Sequence, residues 1–307
     1  MLRLGLCCVF RDQPIKFGVT TASALQRLPV EPRRRKLSDL CRANANALRQ
    51  AIIYCADNGI GCFRILSQIL PLKTHPMVGY DVDDLPEGPN ISQLFRECGE
   101  LAKERGIRLC FHPDQFVVLN SRRPDVVTAS LQEIEYQAEV AEWVGADVVN
   151  IHGGGAFGDK QKSLGDFERA LDRLSPRTRA MLTVENDDKI YTPADLLPLC
   201  RSAGVPLVYD VHHHRCLPDA LSVEEATELA IETWPREPMF HISSPLDGWN
   251  GPRPERHHDF IDVRDFPDCW RDRDLTVEVE AKAKEAAVVK LIADLAKRRR
   301  RVPKRAK

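Results

Sequence analysis

Six short apolar runs in this chain end in His, Asp or Glu. "CFHP" carries His112, "NIHGGG" His152, "TVEND" Glu185, "VYDVHHH" Asp210, "FHISS" His241, and "VEVEAK" Glu278 and Glu280. A lone histidine at such a position is more often a hydrogen-bonded structural residue than a ligand. Six in succession call for a different explanation. Each unpaired buried carboxylate costs several kcal/mol, so a ring of them persists only when something cationic compensates it. None of the six runs carries an Arg or Lys beside its acid or histidine. Divalent metal ions are the economical counter-charge.

In "DVHHH" the residue three positions after Asp210 can curl back toward it, so Asp210 and His213 can reach neighbouring ions. His212 and His214 point elsewhere, into packing or loop hydrogen bonds. His75 in "KTHP", and Glu255, His257 and His258 in "PERHHDF", add candidates from loops. These groups exceed the needs of one ion, which implies on the order of two or three. Mixed imidazole and carboxylate donors suit Mn, Zn or Fe, whereas an all-oxygen set would suit Mg or Ca. Ions a few Å apart are a usual device for phosphoester hydrolysis: one acidifies a bound water and the others stabilise the attacking and leaving oxygens. A single or paired site of the same donors would also serve a sugar isomerase or epimerase, the main enzymatic alternative.

Such a ring needs a scaffold that collects strand ends. Apolar runs at 2–10, 61–67 and 107–113 alternate with helical spacing at 37–58, 91–105 and 124–144. The pattern continues through "DVVNIHGGG" with a helix at 163–173, and "MLTVEND" with a helix opening at Thr192-Pro193. "PLVYDV" leads to "SVEEATELAIETW", where Ser222 and Glu225 make a capping-box pattern. "PMFHISS" precedes an irregular stretch at 245–268, and "LTVEVE" runs into a last helix. Eight strands, seven followed by a helix, with no break in composition, predict a single-domain (β/α)8 TIM barrel over 1–296 and a basic tail at 297–307. A doubly wound open sheet is the runner-up, but "GLCCVFRD" is no Gly-rich phosphate turn. In a (β/α)8 barrel, chemistry belongs at the C-terminal strand ends.

The formal net charge of −1 gives no global attraction to polyanions, so a nucleic-acid site must be a local patch. Arg11, Lys16, Arg122, Arg123, Lys160 and Lys162 follow strands, on the face where chemistry is expected. The runs "PRRRK" and "KRRRRVPKRAK" read as solvated charge. Ten scattered cysteines without a CxxC pair predict buried reduced thiols, and no run is long enough to span a bilayer, so a cytoplasmic protein is expected.

Taken in order, "ILPLKTHP", "FHPDQFVVLNS", "NIHGGG", "LTVENDDK", "DVHHH", "FHISS", "RHHDFID" and "VEAKAKE" resemble the UV damage endonuclease family, from Leu2 to about Lys290. The resemblance implies a barrel related to metal-dependent apurinic endonucleases. It implies cutting immediately 5′ to UV photoproducts (cyclobutane dimers and 6-4 products), and at abasic sites, in damaged double-stranded DNA. Manganese would be the usual ion, with Zn, Fe or Mg as substitutes, and no nucleotide cofactor is required. By the same match Glu185 is a bridging and catalytic carboxylate, with His112 and His152 completing one metal site. Asp210, His241 and Glu280 complete a second, and His213 and His257 hold a third; spacing alone leaves Glu278 and Glu280 open. His75 is similar to a catalytic family histidine. Gln115 and Phe116 match the pair that probes the lesion, with Arg122 and Lys160 as DNA contacts and Glu255 and Lys282 as further site candidates. The alternative for Phe116 is that it packs its own loop. A non-catalytic lesion-binding relative would lack metal ligands, and none of the matched ones is missing. The default assembly for an enzyme that clasps a duplex is a monomer.

Departures from the family pattern bear on recognition and on tuning of the centre. Leu6 and Phe10 stand for a tyrosine and an asparagine after strand one, Met239 for a lysine of some members, and Asp114 for a glycine.

Overall fold

Apolar runs too short to span more than one layer, each followed by an amphipathic segment, can bury both faces only by closing on themselves beneath a jacket of helices. That is the architecture of the computed structural model, which describes residues 1–301. The elements run β1 (Arg3–Cys7), α1 (Ala22–Gln26), α2 (Val30–Asp57), β2 (Cys62–Ile65), α3 (Gly88–Arg105), β3 (Arg108–Phe111), α4 (Pro124–Val144), β4 (Val149–His152), α5 (Lys160–Leu171) and α6 (Pro176–Met181). They continue β5 (Leu182–Glu185), α7 (Pro193–Ala203), β6 (Leu207–Asp210), α8 (Val211–Cys216), α9 (Val223–Ile231), β7 (Met239–Ile242), β8 (Thr276–Val279) and α10 (Glu285–Arg301). The strands pair in parallel, in chain order, and β8 returns to β1, so the expected (β/α)8 barrel is the fold.

The strands are shorter than their apolar runs. β1 stops at Cys7, and Phe10, expected within the first run, instead stacks on Phe63 and meets Tyr54 of α2 edge-on. α2 starts at Val30, seven residues before the expected start at 37, so the "PRRRK" run lies on its first turns. The caps read from sequence are present: Thr192 and Asp195 close a capping box on α7, and Ser222 and Glu225 close one on α9. α1, α6 and α8 have too few residues to show periodicity and were not expected from the sequence. α10 carries the chain through the expected boundary at 296 to Arg301, and the rest of the basic tail lies outside the described residues.

Two cores result. The larger lies between strands and helices; a smaller one, of Cys62, Cys110, Val148, Val208, Trp234 and Met239, fills the lower barrel. Strand alternation turns Arg64, His112, Asn150, His152, Glu185, Asp210, His241, Glu278 and Glu280 into the barrel above that floor. Gly5 clears space there, because a Cβ would sit 3.1 Å from Cys62 Cβ and 3.4 Å from Glu278 Cγ. All ten cysteines are free, and no helix among the described residues is long and apolar enough to cross a membrane.

The loop after β1 is held at the barrel mouth by one carboxylate. Glu285, buried at the start of α10, accepts the backbone N–H groups of Arg11 at 2.9 Å and Asp12 at 2.7 Å. Glu285→Ala leaves both donors without that partner and is expected to cost about 2–4 kcal/mol. Glu285→Gln, which keeps an acceptor, should cost less than half of this. Urea unfolding of the two variants checks the order.

Candidate metal centre

Asp210 ends β6 and is also the N-cap of α8. Its Oδ1 accepts the His213 backbone N–H at 2.8 Å, which leaves Oδ2 facing the barrel axis. The short helix brings the His213 ring over the mouth, with Nδ1 3.3 Å from Glu185 Oε1 and 3.5 Å from Asp210 Oδ2. The other two histidines of the run turn away. His214 lies between the Tyr209 hydroxyl at 2.7 Å and Asp219 at 3.0 Å, while His212 is buried beside Trp249 and His257.

Glu185 lies at the centre, 1% exposed. Its Oε2 accepts from Asn150 Nδ2 at 2.6 Å and lies 2.9 Å from His112 Nε2. Thr183 donates to Asn150 Oδ1 at 3.0 Å, so a buried polar column fixes the amide that fixes Glu185. His241 Nδ1 is 3.1 Å from Glu185 Oε1 and 3.6 Å from Glu280 Oε1, and its Nε2 is 2.8 Å from Glu278 Oε2. Three groups place one donor atom each within 4.8 Å of one another: His112–His152–Glu185, Glu185–Asp210–His213 and Asp210–His241–Glu280.

Glu185 Oε1, Asp210 Oδ2, His152 Nδ1 and His241 Nδ1 are all buried, and none has a partner in hydrogen-bonding geometry. The short Glu185–His241 separation is a charge contact without the angles of a hydrogen bond. Four orphaned polar atoms, one from each of β4 to β7, belong to the side chains of the three donor groups. Buried orphans of this kind are rare, and divalent cations shared among those groups would satisfy them. The donor set therefore fits a metal centre.

The charges are arranged to match. Burial would raise the Glu185 carboxyl, but His241 and His152 hold it well below the usual range. Burial lowers His152, partly offset by Glu185. Burial also pulls on His241 and His213, yet Glu185 raises the former to about 10 and Asp210 raises the latter.

Arg64 of β2 is the residue that sequence reasoning missed. It is buried between Glu278 and Glu280, with Nη2 2.6 Å from the first and 2.8 Å from the second, so the barrel has a resident cation after all. No arginine stands beside an acid within any one of the six runs. The register of β2, β1 and β8 closes that gap across strands. The only signal in sequence was an arginine inside the apolar run "GCFRILS".

The remaining expected residues lie around the rim. His257 Nδ1 is 3.9 Å from Glu280 Oε2 and stands outside the three donor groups. Glu255 is half-buried in the same loop, and Lys282 is exposed at the edge of a cleft of about 380 Å³ that includes Cys8, Arg64, His257 and Glu280. His75 accepts the Met77 backbone N–H at 3.1 Å and faces a groove shared with Asp114 and Phe116, apart from the three donor groups. Gln115 is exposed and Phe116 is 79% exposed, so the ring does not pack its own loop. Arg122 lies 5.6 Å over the Phe157 ring, and Lys160 pairs with Asp195 at 2.7 Å.

The model of the UV-endonuclease UvdE family matches residues 2–305, into the basic tail that the sequence reading had left outside the likeness. The chain belongs to the UvdE family. It is 35% identical over 302 residues to the UV DNA damage endonuclease of Deinococcus radiodurans, covering 94% of each chain. It is 31% identical over 286 residues to that of Bacillus cereus, covering 90% of this chain and 88% of the relative. The solved structure of SacUVDE superposes with a TM-score of 0.85 at 28% identity, covering 97% of this chain and 99% of that one.

Against the UvdE pattern, the departures fall in different layers. Leu6 lies within β1, not in the loop after it, and is fully buried; Phe10 packs beneath α2. Neither side chain reaches the mouth. Met239 is buried in the floor beside Cys62 and Cys110. Asp114 is exposed on the rim and accepts from Ser67 Oγ at 3.3 Å.

Glu185 and Asp210 raise His241 and His213, so binding of a divalent ion would compete with protonation of these rings. Loading chelator-treated protein with Mn²⁺ at pH 8 is expected to release protons, and affinity should rise as pH rises. Titration calorimetry in two buffers of different ionisation enthalpy measures the release; identical apparent enthalpies would contradict it.

Proposed function

We propose that the protein is a metal-dependent DNA repair endonuclease that hydrolyses the phosphodiester bond 5′ to UV photoproducts, and at abasic sites, in double-stranded DNA. The observation that carries this reading is the set of overlapping donor groups, with four orphaned buried atoms, at the barrel mouth of a UvdE-family chain. On this reading the centre takes on the order of two or three divalent ions, with Mn²⁺ as the working metal. The protein acts as a monomer in the cytoplasm, on nucleoid DNA, without a nucleotide cofactor.

The ions supply an acidified water and positive charge for the attacking and leaving oxygens. The chain's own groups do the rest. Glu185 bridges two donor groups, so its position sets the spacing between ions. His112 and His152 hold one side; Asp210, His241 and Glu280 hold the other; His213 and His257 hold the mouth. Asn150 and the Asp210 cap keep two carboxylates from rotating, which preserves in-line geometry. His75, on the rim, approaches the scissile phosphate.

Gln115 and Phe116 enter the damaged duplex. An exposed ring on a loop tip can fill the gap left by displaced bases, at about 1–3 kcal/mol of stacking. Arg122, braced on Phe157, and Lys160 contact the backbone, while Glu255 and Lys282 border the approach.

The test is incision of three labelled duplexes, undamaged, with a cyclobutane dimer and with an abasic site, each with Mn²⁺ and with chelator. A cut 5′ to the dimer is expected only with metal, reduced by about 10²–10³-fold or more in Glu185→Gln. Cutting confined to the abasic site would remove photoproducts from the reading. No cutting by metal-loaded protein would favour a small-molecule substrate. Phe116→Ala should weaken binding to the dimer duplex by about tenfold and leave undamaged DNA unchanged in a fluorescence anisotropy titration.

A further inference from the structure

The four carboxylates in the barrel mouth are not equivalent. Glu185 and Asp210 each carry an orphaned oxygen. Glu278, one layer deeper, carries none: Arg64 Nε lies 3.1 and 3.0 Å from its two oxygens, and Nη2 lies 2.6 Å from Oε2. The same Nη2 reaches Glu280 Oε1 at 2.8 Å, while Glu280 Oε2 turns toward His257. Beneath the guanidinium, the Cys110 thiol donates to Glu278 Oε1 at 3.3 Å and lies 3.9 Å from the Cys62 thiol. Cys62, Cys110 and Glu278 are thus close enough to hold a soft metal ion, fully buried below the centre described above.

We propose that Arg64 is a positioning residue that stands where a further cation would otherwise bind: it excludes metal from Cys62, Cys110 and Glu278 and aims Glu280 at the centre. The proposal rests on the metal-centre reading above. A planar guanidinium suits the task, because its fork grips one carboxylate through two nitrogens while a third contact reaches a second carboxylate. A metal ion could not share Glu278 with it, since the guanidinium already engages both Glu278 oxygens, whereas it touches only one oxygen of Glu280. Glu278 is thereby left to orient His241. Glu278 lies 2.8 Å from Nε2, which Arg64 Nη2 also reaches at 3.2 Å, and the pair leaves Nδ1 toward Glu185 and Glu280, as outer-shell groups do for ligating histidines. Spacing on β8 cannot distinguish Glu278 from Glu280; Arg64 makes the distinction.

The proposal is tested on purified full-length protein by counting bound Mn²⁺ after dialysis and by recording the electronic spectrum with Co²⁺. Wild type should bind Mn²⁺ and give cobalt bands without sulfur-to-cobalt charge transfer. Glu280→Gln should lose about one equivalent of Mn²⁺. Glu278→Gln should keep the wild-type count and weaken affinity by about 10–100-fold, the usual size for an outer-shell partner. Arg64→Met should weaken Mn²⁺ binding and develop a near-ultraviolet thiolate-to-cobalt band that disappears again in Arg64→Met/Cys110→Ser. Arg64→Lys should restore part of the Mn²⁺ affinity.

Sulfur-to-cobalt charge transfer in wild type would overturn the proposal, as would loss of one Mn²⁺ equivalent in Glu278→Gln. Unchanged Mn²⁺ affinity and cobalt spectrum in Arg64→Met would overturn it too. Should Arg64→Met fail to fold, the Glu278→Gln and Glu280→Gln counts decide alone. Wild type that binds no divalent ion would instead remove the metal-centre reading itself.

Discussion

Everything at the mouth of this barrel depends on unbalanced negative charge in a place that water cannot dilute. Glu185, Asp210, Glu278 and Glu280 project inward from β5, β6 and the end of β8, and three of the four are almost completely buried. Carboxylates in such a site repel one another and tolerate ionisation only beside compensating charge. Histidines from β3, β4, β7 and α8 supply donors, and two of them hold protons well beyond their usual range in answer to that charge. The orphaned atoms on Glu185, Asp210, His152 and His241 mark where compensation from the chain ends.

The structure meets that demand in two ways, separated by depth. In the deeper layer a guanidinium neutralises Glu278, and Cys62 and Cys110 lie beneath it in the packed floor. In the upper layer the donors stay open toward the mouth. Between the layers stands His241, with one ring nitrogen against Glu278 and Arg64 and the other facing the open donors. A barrel allows this because alternate inward residues stack at fixed height. A residue's layer, more than its type, decides whether it is held by Arg64 or left open toward the mouth.

The rim follows a different logic. The loops after β3 and β4 are locked together: Asn120 donates to the carbonyls of Gly153 and Gly155 and accepts the Gly155 N–H. Gly154 takes a φ of +79°, and a Cβ there would come within 2.2 Å of Asn120 Oδ1, so the close approach requires glycine. Phe157, stacked under Arg122, and the exposed Phe116 are held on this rigid pair of loops. Apolar tips on a stiff support are suited to displaced bases, which offer a π-face whatever their identity.

The sequence by itself determined the barrel and most of the donors. Eight apolar runs alternating with helical periodicity admit few topologies, and strand ends are local positions that can be read residue by residue. It also determined that Asp210 and His213 act together, because a cap and its third residue are close in any helix start. Tertiary structure decided what depends on register. Whether Arg64 faces Glu278 is a property of closing β8 against β1 and β1 against β2, across more than 200 residues of chain. Likewise Leu6 and Phe10 turn away from the mouth because β1 ends at Cys7, which neither its apolar run nor its composition reveals. Periodicity is local and survives in the sequence. Pairing between distant strands is not, and the difference in surroundings between Glu278 and Glu280 was made there.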